Sequence, residues 1–111
     1  MLMESTSAVV ARNVVWTGSA ATEPYEAGWA REAIVFVRAL KTPSGELPEA
    51  QVEISPDGMR WADEGTRFPL PKRQDEVTFG RVRHFGNWLR VTAKLPPNAQ
   101  ITVLVTIHLK S

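Results

Sequence analysis

One hundred and eleven residues exclude two independent domains, because chains of about 100 to 150 residues usually enclose one core, and 43% apolar with 23% charged residues excludes the composition of a disordered chain. The absence of cysteine removes disulfides, thiolate metal sites and cysteine nucleophiles. Net charge is +1, yet residues 1 to 66 carry five bases against ten acids and residues 67 to 111 carry eight bases against two, so the two parts stand at −5 and +6. Such a split suits either a polyanion-binding half or a molecule whose acidic surface meets another copy's basic one.

Met1-Leu2-Met3-Glu4 opens without a cationic stretch or apolar run of the signal-peptide type, and no segment approaches the roughly 18 apolar residues of a membrane span. The expected location is cytoplasmic or particle-associated, with no membrane partner. Residues 1 to 7 read as a flexible arm and residues 8 to 111 as one domain.

Ala8 to Trp16, with Val9, Val10, Val14 and Val15, favours a strand. Ala27 to Lys41 is ambiguous. Trp29, Ala33, Val37 and Leu40 fit a helical stripe, whereas Ile34-Val35-Phe36-Val37 fits a strand buried on both faces, which β-branching favours. Thr42 to Pro48 breaks the chain. Gln51 to Ser55 and Met59 to Asp63 flank Pro56-Asp57-Gly58, a hairpin turn with proline and glycine at the positions that want them. Glu64 to Gln74, with Phe68-Pro69-Leu70-Pro71, reads as a loop crossing one end of the domain. Glu76 to His84 and Trp88 to Leu95 read as a tight hairpin about Phe85-Gly86-Asn87. Pro96-Pro97-Asn98 ends the second of these, and Ile101 to Lys110 alternates five aliphatic residues with a more polar set, as a half-buried strand does. Six or seven or more short strands without βαβ alternation predict an all-β fold, a single antiparallel β-sandwich, with the jelly roll as one arrangement open to it. A barrel is the alternative.

Ser55-Pro56-Asp57-Gly58-Met59-Arg60-Trp61 resembles the Asp-box turn of sialidase-type propellers, but it occurs once, where propellers repeat it through several blades. The expected structure is a hairpin turn in which Ser55 or Asp57 bonds local backbone and Trp61 packs inward. Three segments in order, Glu23 to Trp29, Val52 to Trp61 and Phe85 to Val91, resemble small β-sandwich proteins of tailed-phage virions over roughly residues 20 to 109. That resemblance implies a role in capsid decoration or fibres, with no chemistry to carry over.

His84 and His108 are the only histidines, and neither has an acidic neighbour at ligand-like spacing. No catalytic residues, metal or cofactor are expected, and the chain reads as a non-enzyme. The candidate site is an interaction surface. In the hairpin about Gly86, Val82, Leu89, Val91, Ala93 and Leu95 share the core face, so Phe79, Arg81, Arg83, Phe85, Trp88, Arg90 and Lys94 share the outward one. Arginine opposite arginine is unfavourable across strands, so this surface calls for an acidic partner: a second copy in a homo-oligomer, or a capsid or particle protein. The competing reading is that glutamates of a neighbouring strand neutralise it. Two further functions follow from residue type. Four tryptophans and Tyr25 could offer platforms for carbohydrate, and Arg81, Arg83, Arg90 and Lys94 with Trp88 could track single-stranded nucleic acid, which the acidic half disfavours.

Overall fold

The computed structural model describes residues 4–111, and among them every regular element is a strand. In chain order they are β1 (Ser5–Trp16), β2 (Ser19–Ala21), β3 (Tyr25–Glu26), β4 (Glu32–Ala39), β5 (Glu49–Ser55), β6 (Ala62–Pro69), β7 (Val77–Arg83), β8 (Trp88–Lys94) and β9 (Ile101–Lys110). A front sheet runs β1-β9-β4-β7 and a back sheet β2-β8-β5-β6, with β3 continuing the β2 edge along β8, and all pairings are antiparallel. With β3 set aside, the first strand pairs with the last, the second with the last but one, and so inward to the β5–β6 hairpin. A long two-stranded ribbon wound over itself produces this order, and it is the jelly roll.

Alternation places the core. Val35, Val37, Val52, Leu89, Val91, Val103, Val105, Ile107 and Leu109 all point between the sheets and are fully buried, as period-two side chains on paired inner faces must be. The β-branched run of β4 won over the helical stripe: Ala33, Val35, Val37 and Ala39 enter the core while Ile34 and Phe36 stay half-buried outside.

Two expectations are corrected. The segment after Glu64 is strand rather than loop through Pro69, because β6 is an edge held by its ladder to β5 and buries only Phe68. An edge strand needs no alternating pattern to exist. The tight β7–β8 hairpin does not form. β7 pairs with β4 in the front sheet and β8 with β5 in the back sheet, so residues 84 to 87 turn a corner between layers. Of the expected arm, Met1 to Met3 lie outside the described residues, while Ser5, Thr6 and Ser7 begin β1 opposite Lys110, Leu109 and His108 of β9.

The sheets also meet along their sides. At the β6–β7 side the Thr66 hydroxyl donates to the Arg81 carbonyl at 3.2 Å, and Phe68 comes so close to Gly80 that a Cβ there would lie 2.6 Å from its ring. At the other side Glu23 N–H donates to the Val10 carbonyl at 3.2 Å.

Candidate interaction surface

The seven residues of the expected surface divide among three places. Phe79, Arg81 and Arg83 stand on the outer face of the front sheet, whereas Trp88, Arg90 and Lys94 stand on the outer face of the back sheet, on the opposite side of the molecule. Phe85 is buried, 2% exposed, where the corner between β7 and β8 crosses the end of the core. Six of the seven thus face outward, but no single surface contains them. For the same reason Arg81 and Arg83 cannot join Arg90, Lys94 and Trp88 along one nucleic-acid strand.

On the back face the arginine is neutralised within the sheet. Register puts Glu53 of β5 opposite Arg90 of β8, and an Arg90 guanidinium nitrogen lies 2.7 Å from Glu53 Oε1. The same guanidinium stacks on Trp61, 4.2 Å from its ring centroid, so Trp61 lies half-buried outside the sheet rather than in the core. Asp63 and Arg67 of β6 form another pair on this face.

The turn beside it is built from short polar side chains. The Ser55 hydroxyl donates to Asp57 Oδ1 at 3.0 Å and accepts from the Asp57 and Gly58 amides, while Asp57 Oδ1 accepts from the Met59 and Arg60 amides at 2.8 and 2.9 Å. Those bonds, Arg60's N–H foremost and then those of Met59 and Ser55, hold the Asp57 carboxyl below the ordinary value of 3.8. Asp57 Oδ1 is thus committed to the turn, while Oδ2 faces the Arg60 guanidinium at 3.5 Å. Gly58 takes φ +80°, and a Cβ there would lie 3.2 Å from the Trp88 ring, so the indole packs against the turn. Of the four tryptophans, Trp16 is buried, Trp61 and Trp88 are half-covered in this way, and only Trp29, 41% exposed, offers an open ring.

The front face is different in kind. Val9, Thr106, Phe36 and Phe79 form one rung across β1, β9, β4 and β7, with the Phe36 and Phe79 rings 5.9 Å apart and His108 edge-on to Phe36 at 5.0 Å. Val9 and Phe79 are 43% and 44% exposed, and Ile34, Phe36 and Leu104 are half-buried beside them. Toward the Lys110 end a shallow concavity of about 230 Å³ has Ile34 in its lining, with Arg81, Arg83, His108, Lys110 and the single acid Glu32 around it. The Arg83–Glu32 contact is loose at 3.9 Å. Arg81 stacks on Phe79 at 5.0 Å and, among the described residues, has no carboxylate within 4.0 Å, nor has Lys110. Chemically this is an apolar platform with a cationic end, suited to an apolar partner surface carrying carboxylates.

Sequence reasoning missed Ile34, Phe36, Leu104 and Lys110 as members of this surface. The signal was present: β4 carries apolar residues on both faces, and Leu104 interrupts the polar side of β9. Among the described residues no three His, Asp or Glu side chains gather in a metal-binding group, and no helix is long and apolar enough to cross a membrane.

No protein-family model and no curated protein matches the chain. Among solved structures it is similar to a chain of the Bacillus endospore appendages, described as a novel family of disulfide-linked pili, with a TM-score of 0.50 and 9% identity over 96% of this chain and 87% of that one. At that identity the likeness is one of fold, and it extends over nearly the whole β-sandwich.

Proposed function

We propose that this chain is a non-enzymatic assembly subunit, one β-sandwich unit over residues 8 to 111, that associates with copies of itself in a filament or particle, of phage-like or pilus-like kind. The observation that carries this reading is the outer face of the front sheet. Monomeric proteins rarely leave a large contiguous apolar patch without a use for it, and here Ile34, Phe36, Phe79 and Leu104 lie together on β9, β4 and β7. The fold likeness to a chain of pilus-forming appendages supports the same reading. A subunit of this kind works outside the cell or on a particle. Without cysteine, its contacts are made without disulfide links.

Light scattering coupled to size exclusion, from micromolar to millimolar concentration, followed by electron microscopy of the largest species, tests the proposal. Mass rising with concentration is the expected result. A monomer throughout that range, with no particle to bind, overturns it.

A further inference from the structure

We propose that the copies stack front to back: the outer face of the four-stranded front sheet on one copy docks onto the outer face of the back sheet, β3 included, on the next. This deepens the assembly reading and rests on it. The occupant is a second copy because the two faces are complementary in charge. The front face presents Arg81 and Lys110 without a carboxylate partner among the described residues and Arg83 only loosely held. The back face satisfies Arg90 with Glu53 and Arg67 with Asp63. It leaves the exposed Glu26 and Glu49 without a cation within 4.0 Å among the described residues, and the one further cation on this face, Lys94, stands between β2 and the start of β5, where the β5–β8 register continues toward Glu49. Glu26 on β3 is opposite Trp88 and Glu49 opens β5, so the two acids mark the two ends of the back face.

Size supports the pairing. Four strands about 4.8 Å apart, rising roughly 3.3 Å per residue, make a face of about 500 Å² in projection, which side-chain relief brings near the roughly 800 Å² each partner gives to a standard interface. Symmetry of the contact matters too. A front-to-front contact is isologous and closes at a dimer, whereas front to back leaves one face of each kind free and, because the two faces lie on opposite sides of the molecule, propagates as an open series unless its rotation closes a ring. Only the second builds a filament.

Sedimentation velocity on the full chain and two variants tests this, with circular dichroism confirming that each is folded. Arg81→Glu with Lys110→Glu reverses the front face, and Glu26→Lys with Glu49→Lys reverses the back face. All four side chains are exposed. Each double variant alone is expected to need at least about 100-fold more protein to associate, because like charges then meet across the interface, and added salt is expected to weaken association of the unmodified chain. Mixed in equal amounts, the two variants regain complementary faces and co-assemble. If the back-face variant associates as the unmodified chain does while the front-face variant does not, the contact is front to front and the proposal is overturned. If neither variant changes an association that does occur, both faces are wrong although the chain still assembles. A monomeric unmodified chain overturns the assembly reading itself.

Discussion

Arg90 and Glu53 stand opposite each other on β8 and β5, 2.7 Å apart, with side chains 26% and 23% exposed. The guanidinium is also stacked on Trp61, so one cation ties β8 and β5 of the back sheet to the approach to β6. Arg90→Ala is expected to lower stability by about 1 to 2 kcal/mol, combining a partly shielded ion pair with a cation–π contact. A double-mutant cycle with Glu53→Gln, read by urea denaturation, should return a coupling of about 1 kcal/mol. Zero coupling would mean that Trp61 alone holds the arginine.

Phe79 and Phe85 lie six residues apart and have opposite fates. Phe85→Ala should cost about 3 to 5 kcal/mol, since it empties a closed site in the core, whereas Phe79→Ala, 44% exposed, should cost at most about 1 kcal/mol. Thermal melting of the two variants checks this. Equal losses would remove the distinction between corner and outer face.

Gly80 is required by its neighbour rather than by its backbone. A Cβ there would stand 2.6 Å from Cδ1 and 3.1 Å from Cε1 of Phe68, so Gly80→Ala must push a buried ring at the seam between the sheets. A loss of about 1 to 3 kcal/mol is expected from overpacking. Phe68→Leu in the same chain should recover part of it, as measured by the urea midpoint, while a neutral Gly80→Ala would show that the ring moves freely.

Acid sensitivity should include a contribution from the Ser55–Gly58 turn. The Asp57 carboxyl is held below the ordinary 3.8 by N–H donors of Arg60 and Met59 and by Ser55. A carboxyl with a lowered folded value stabilises the fold above its unfolded value, and that contribution is lost as pH falls through the folded one. Asp57→Asn keeps an acceptor oxygen but cannot titrate, so its urea midpoint should fall less steeply than the unmodified chain's below about pH 4. Asp63, lowered first by the Gly65 N–H and then by Arg67, leaves a residual slope in both.

Local features were legible in the amino-acid order alone: where the clearly alternating strands run, and which side of each is apolar, though not the short β2 and β3 or the edge strand β6 beyond Glu64. Ile101 to Lys110 and Trp88 to Leu95 show their inner faces at period two, and Val82, Leu89, Val91, Ala93 and Leu95 are all buried. That pattern is readable because each residue's side is set by its own strand's pleat. The Pro56-Asp57-Gly58 turn was readable for the same reason, since every bond in it lies within six residues. Partnership between strands was settled by the folded molecule as a whole. Short sequence separation suggested that β7 and β8 pair, but ribbon winding sends them to different sheets, each against a more distant strand. Arg83 therefore meets Glu32 and Arg90 meets Glu53, not each other. The same choice divides one expected surface into two opposite faces and assembles another, Ile34, Phe36, Phe79 and Leu104, from strands far apart in the chain. Pairing across layers depends on how all the apolar faces are buried together, a property of the whole molecule that no single strand's pattern contains.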